Sequence, residues 1–216
     1  MELSALMEAQ RNYYRTGATR SLAFRELMLD SLYRKIREME PEIHAALQAD
    51  LGKSAFESYM CETGLTLSEI SYMKTHLRDF AAKKRVRTPI AQFPSRSYVL
   101  KEPYGCVLIM SPWNYPFMLT LEPLADAIAA GNTVILKPSA YSPATSAVIK
   151  KLIAAVFPEE YVAVIEGGRA ENQSLLEQKF DYIFFTGGTA VGKLVLQKAA
   201  EHFTPVTLEM GGKSPC

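Results

Sequence analysis

Four clusters of chemically able residues stand out, each where a short apolar stretch gives way to proline or glycine. Ser111-Pro112-Trp113-Asn114-Tyr115-Pro116 sets an amide side chain between two prolines, which fix the backbone and keep the next helix from starting early. Asn114 is thus presented from a stiff turn, where its NH2 can donate to an oxygen that gains negative charge in a reaction. Lys137-Pro138-Ser139 offers an ammonium able to donate to ribose hydroxyls or sit near phosphate. Phe184-Phe185-Thr186-Gly187-Gly188-Thr189-Ala190-Val191-Gly192-Lys193 is a glycine-rich turn opening a helix, where backbone N–H groups and the positive end of the dipole favour phosphate. Its spacing is not the G-x-G-x-x-G of the ordinary dinucleotide turn. Leu208-Glu209-Met210-Gly211-Gly212-Lys213 puts a carboxylate between an apolar strand and a double glycine, a pliable and partly buried setting that suits a general base. Taken singly, each cluster also reads as ordinary structure: a packed turn, a surface lysine, a tight strand-to-helix connection, a glutamate paired with a nearby lysine.

What unites them is the pattern that must position them. After Pro103, short apolar stretches at Cys106 to Met110, Thr133 to Leu136, Tyr161 to Ile165, Tyr182 to Phe185 and Val206 to Leu208 predict strands. Between them Leu119 to Ala130, Ala144 to Val156, Glu171 to Gln178 and Val191 to Ala200 predict helices. This alternation gives an α/β fold, a Rossmann-like parallel sheet with helices on both faces. In such sheets ligands bind at the carboxyl ends of the strands, where all four clusters fall. Residues 1–87 read as a helical amino-terminal part. A first helix stops at Gly17, a second runs through Met28, Leu32, Ile36 and Met39, a short third starts at Pro41 and ends at Gly52, and a fourth runs from Leu67 to Phe80. The basic run Lys83, Lys84, Arg85 and Arg87 reads as a solvated helix end. Residues 88–102, with Pro89 and Pro94, predict an extended arm, leaving 103–216 as the sheet domain.

Composition narrows the function. The 216 residues are 48% apolar and 22% charged with a net charge of +1, which suits a globular protein and gives no field for nucleic acid. No apolar run approaches the roughly 20 residues of a spanning helix, and the start lacks a signal-peptide core. No membrane anchor is visible in this chain. Three widely spaced cysteines, Cys61, Cys106 and Cys216, argue for a reducing compartment, so the expected location is cytoplasmic.

Together and in this order, Pro112-Trp113-Asn114-Tyr115-Pro116, Lys137-Pro138-Ser139, Phe185-Thr186-Gly187-Gly188 with Gly192, and Leu208-Glu209-Met210-Gly211-Gly212-Lys213 resemble the signature segments of the NAD(P)-dependent aldehyde dehydrogenases. The resemblance covers the whole chain, and the Gly-Gly-Lys-Ser-Pro-Cys ending is most similar to the class 3 type, whose substrates are medium- to long-chain aliphatic and aromatic aldehydes. It implies two catalytic residues: Asn114 stabilises the oxyanion formed when a cysteine thiolate attacks the aldehyde, and Glu209 activates the water that hydrolyses the resulting thioester. It implies that Lys137 and the turn of Gly187, Gly188, Thr189, Ala190, Val191 and Gly192 hold NAD or NADP, with Ser111, Pro112 and Trp113 lining the coenzyme's path. It also implies no metal, and a homodimer contacting through the arm.

Two departures qualify the resemblance. The family's nucleophile lies in a Gly-Gln-x-Cys segment a few dozen residues past the strand-end glutamate, whereas this chain stops seven residues after Glu209. The expectation is a coenzyme-binding part that lacks the catalytic domain, is inactive alone and is prone to self-association. At Ala140 many family members carry a glutamate that binds the adenosine ribose. Its loss removes a charge that repels a 2′-phosphate, so use of both NAD and NADP is expected. The competing readings are a non-catalytic dinucleotide-binding module and a related acylating dehydrogenase or reductase.

Overall fold

The computed structural model describes residues 2–213, so Cys216 and the Ser214-Pro215 part of the ending lie outside the described residues. Helix α1 (Leu3–Arg15) stops before Gly17, whose φ of 75° suits the residue that lacks a Cβ. The expected break at Pro41 does not occur. One helix, α2 (Leu22–Leu51), runs for 30 residues straight through it to Gly52, with φ of 69°. The reason is packing. Leu29, Leu32, Ile36, Met39, Ile43, Ala46 and Leu47 form one buried stripe along both halves. At about 1.5–3 kcal/mol per large buried side chain, that stripe outweighs the roughly 3 kcal/mol cost of an interior proline.

The chain continues through the short α3 (Ala55–Ser58), a π-helical turn at Tyr59–Thr63, and α4 (Gly64–Ala81). Any Cβ at Gly64 would lie 2.6 Å from the Tyr59 carbonyl oxygen, so only glycine lets the π turn join α4. The basic run is not a helix end. Helix α4 stops at Ala81, and Lys84–Val86 forms strand β1, paired antiparallel with β2 (Ser97–Val99). Cross-strand partners override the dipole preference, and the Lys83 ammonium sits 3.6 Å over the Tyr98 ring. The arm is thus a hairpin, and its tip is open, with Ile90 93% and Phe93 84% exposed.

The sheet contains β3 (Cys106–Met110), β4 (Thr133–Lys137), β5 (Val162–Val164), β6 (Tyr182–Gly187) and β7 (Val206–Met210), all parallel in the order β5-β4-β3-β6-β7. The connecting helices are α5 (Met118–Ala130), α6 (Pro143–Val156), α7 (Arg169–Leu176) and α8 (Thr189–Ala200). Each strand and helix expected after Pro103 is present, with ends shifted by a few residues at most.

Strand alternation divides the core in two. Val107, Ile109, Val134 and Leu136 face α2, α4, α5 and α6. Cys106, Leu108, Met110, Ile135 and Phe185 face α1, α7 and α8. Helix α1 is stitched to the sheet by Gln10, whose amide donates to the carbonyls of Val134 (2.9 Å) and Glu159 (3.0 Å) and accepts from the Cys106 thiol. Helix α5 is clamped at its carboxyl end by the buried Arg25, whose Nη1 donates to the Ala129 carbonyl (3.1 Å) and Nε to that of Thr19 (2.8 Å). From β3 the chain winds outward through β4 to β5, then returns to the other side of β3 as β6 and continues to β7. The reversal between β3 and β6 opens a crevice at their carboxyl ends.

Candidate active site

That crevice is a groove of about 760 Å³. Its walls include Pro112, Trp113 and Asn114 from the β3–α5 loop, Gly187 and Gly188 from the end of β6, and Glu209 from β7. Residues 97 positions apart in sequence, Asn114 and Gly211, therefore share one wall system. Ser111 and Lys137 are buried beneath the strand ends instead, and Thr189, Ala190 and Val191 form the exposed first turn of α8.

The β3–α5 loop is anchored at each end. The Ser111 hydroxyl hydrogen-bonds that of Thr120, which also donates to the Pro116 carbonyl at 2.6 Å. Between these anchors Asn114 is exposed and Trp113 is 54% exposed on the groove. From below, Lys53 Nζ donates to the Asn114 carbonyl (2.9 Å) and to Glu62 (2.6 Å). Glu62 in turn accepts from the N–H groups of Phe117 (3.0 Å) and Met118 (2.9 Å). Burial raises the pKa of the Glu62 carboxyl, against the pull of Lys53 and these amides. Neither Lys53 nor Glu62 was among the residues singled out in the sequence. The available signal was phase: Glu62 shares a helical face with the buried Thr66, Ile70 and Leu77, an unusual place for a carboxylate.

The glycine-rich turn divides its work. A Cβ at Gly187 would meet the Phe185 ring of the same strand at 2.6 Å, and one at Gly192 the Met210 sulfur at 2.7 Å, so Gly187 leaves room for that ring and Gly192 lets α8 pack close on the sheet. A Cβ at Gly188 would meet nothing within 4 Å. Gly188 is the N-cap of α8 with no side chain to satisfy the helix start, and the first amides of the helix lack intrahelical acceptors. This end is the one suited to phosphate.

Lys137 lies at the mouth of β4 with its ammonium turned to the carbonyls of Pro138 (2.9 Å) and Gly167 (2.6 Å). Burial lowers its pKa, while Glu171 and Glu166 pull the other way. An ammonium has three N–H donors, and these two carbonyls take two of them. Ala140 follows in an exposed loop. Glu209 departs from expectation in its setting: it is exposed rather than partly buried, because β7 is the edge strand and covers it on one side only. Its neighbour in register is Thr186. On the α5 wall, the Asp126 carboxyl is pushed up to about 7 by burial and by the charges of Glu69 and Glu122. Among the described residues there is no cluster of three or more metal-ligating side chains, and no helix is long and apolar enough to cross a membrane.

Residues 2–216 match the model of the aldehyde dehydrogenase family. The chain is 49% identical over 203 residues to the 4,4'-diaponeurosporen-aldehyde dehydrogenase of Staphylococcus aureus, covering 94% of this chain and 44% of the relative. It is 45% identical over 206 residues to the mouse aldehyde dehydrogenase family 3 member A2, covering 95% of this chain and 43% of that protein. Among solved structures, the substrate-bound state of Staphylococcus aureus AldH matches with a TM-score of 0.97 and 46% identity, over all of this chain and 47% of that one. An NAD+ complex of an aldehyde dehydrogenase from Bacillus cereus matches with a TM-score of 0.87 and 26% identity, over 98% and 43% of the two chains. The chain thus spans less than half the length of these relatives.

Proposed function

This chain belongs to the aldehyde dehydrogenase family, and from that membership we propose that it is the coenzyme-binding part of an enzyme that oxidises an aldehyde to a carboxylic acid with NAD+ or NADP+. The observation that carries the reading is the groove at the β3–β6 reversal, which gathers Asn114, Gly188 and Glu209 on one opening. The coenzyme supplies the hydride acceptor. In this proposal the first-turn amides of α8 at Thr189 and Ala190 take its phosphates, and the spare N–H of Lys137 takes a ribose hydroxyl. The Asn114 amide donates to the aldehyde oxygen as a cysteine thiolate of the longer enzyme adds to the carbonyl carbon. Once hydride has left, Glu209 takes a proton from the water that cleaves the thioester. Its exposure in this chain leaves it reachable by that water.

Ala140 removes a charge that would oppose a 2′-phosphate, so both coenzymes fit this reading. The aldehyde belongs to the apolar, medium- to long-chain or aromatic class. The exposed Ile90 and Phe93 of the hairpin suit a subunit contact, and the free Cys61 and Cys106 suit a reducing, cytoplasmic setting. The test is titration calorimetry of this chain with NAD+ and NADP+. Saturable binding of both supports the proposal, and no heat from a demonstrably folded chain refutes it.

A further inference from the structure

We propose that the buried pair Lys53–Glu62 is the device that aims Asn114, so that both are positioning residues for the reaction. The inference rests on the reading of Asn114 as the oxyanion donor. Glu62 is fully buried and Lys53 is 7% exposed, yet neither reaches the groove. Burying two charges is a costly way to join two elements, since apolar side chains of similar size often serve stability as well or better. What the pair adds is direction. One Glu62 oxygen takes the Lys53 ammonium at 2.6 Å, and the other takes the N–H groups of Phe117 and Met118, which fixes where α5 begins. Lys53 spends a second donor on the Asn114 carbonyl at 2.9 Å, and its charge stands 4.0 Å from the centre of the Tyr115 ring.

Four residues of one five-residue stretch, Asn114, Tyr115, Phe117 and Met118, are thereby held by two side chains from outside the sheet. The carbonyl that Lys53 holds belongs to the same residue whose side-chain amide faces the groove, so the backbone torsions of Asn114 are fixed from behind while its amide stays free. The local fold is arranged for this as well. Glu62 lies on the π-helical turn Tyr59–Thr63, the kind of one-residue insertion that recurs at functional sites, and Gly64 keeps that turn open to α4.

The experiment uses the full-length enzyme and the double variant K53M/E62Q, which removes both charges together and leaves an amide oxygen at position 62 to accept from α5. It is compared with Asn114→Ala and with the triple combination. Steady-state aldehyde oxidation, coenzyme Kd and thermal unfolding are measured for each. The expected result is a kcat lowered about 10- to 100-fold in K53M/E62Q, in line with the cost of an ångström-scale misplacement, with coenzyme Kd unchanged within about twofold. In the Asn114→Ala background the same pair of changes lowers kcat by less than about twofold, because the group it aims is gone. An equal loss in both backgrounds shows a general structural role and overturns the inference, as does no loss in either. If Asn114→Ala alone leaves kcat intact, the oxyanion role falls first and the inference with it.

Should K53M/E62Q fail to fold, Lys53→Arg serves the same cycle, since it keeps the ion pair and displaces the donor from the Asn114 carbonyl. A second readout needs no turnover. Trp113 is the single tryptophan of this chain and adjoins Asn114, so time-resolved anisotropy measured on this chain, parent and variant, reports the loop directly. Faster local motion of Trp113 in the variant supports the inference, and an unchanged decay overturns it.

Discussion

Replacing Gly188 by aspartate should move stability and coenzyme binding in opposite directions. Gly188 caps α8 with φ of −74° and ψ of 146°, a conformation open to any residue, and a Cβ there meets nothing within 4 Å. Aspartate is a better N-cap than glycine by a few tenths of a kcal/mol, and its charge at the positive end of the helix adds about 0.3–1 kcal/mol. The variant should therefore unfold about 1–4 °C higher than the parent. The same carboxylate stands where the coenzyme's phosphates are proposed to lie. Two like charges about 4 Å apart repel by roughly 1 kcal/mol in a watery setting and roughly 4 kcal/mol at the effective dielectric of a protein surface. Affinity for NAD+ should fall at least about fivefold, and the loss should shrink as salt is added. Gly188→Asn is the control: it caps without the charge and should keep the affinity. Calorimetric titration and thermal unfolding of the three proteins decide the matter. A raised melting temperature in G188D with an unchanged Kd would place the phosphates elsewhere and refute the reasoning.

Gly187→Ala should instead cost stability, since its Cβ meets the buried Phe185 ring at 2.6 Å; an overpacking penalty of about 1–3 kcal/mol lowers the melting temperature by about 2–10 °C, and an unchanged value would show that the ring yields. Ala140→Glu should weaken NADP+ at least about tenfold while leaving NAD+ within about threefold; equal effects on both would mean that Ala140 is not near the 2′-position. Asp126→Asn tests the carboxyl pushed up to about 7 by burial, Glu69 and Glu122. The folded carboxyl holds its proton to higher pH than the unfolded one, so the stability tied to this group is present at low pH and is lost as pH rises toward 7. D126N should raise the melting temperature at about pH 8, by no more than about 3 °C, because Asp126 lies on the groove wall, packed on one side and exposed to solvent on the other. The gain should vanish near pH 4, and a constant gain across that range contradicts the assignment.

The sheet was legible because each strand ends at or near a proline or glycine, and because α5, α6 and α8 repeat apolar residues at helical spacing. The order β5-β4-β3-β6-β7 was not, since nothing in a strand's own residues names its neighbours; the rule that ligands gather at strand ends, together with the family resemblance, linked Asn114 to Glu209 in advance. Local signals failed where distant packing decides. Pro41 looked like a helix start because proline favours first turns, yet the stripe from Leu29 to Leu47 carries α2 through it. The basic run Lys83, Lys84, Arg85 and Arg87 looked like a helix end, yet Lys84–Val86 pairs as a strand with Ser97–Val99. The partial burial expected for Glu209 failed because β7 lies at the sheet's edge. Lys53 and Glu62 escaped notice because, besides each other, they hold backbone groups 55 to 61 positions away, which no motif spacing displays.

The two-ended hold on α5 has a bearing on motion. Arg25, near the start of α2, grips the carboxyl end of α5, while Lys53, just past the other end of α2, grips the loop that leads into it. A helix tied at both ends to one long, stiff neighbour behaves as a strut. Its amides should be among the slowest to exchange with deuterated solvent, and ligand-driven rearrangement should be confined to the opposite wall, where β7 has a free edge and α8 rests on glycine contacts.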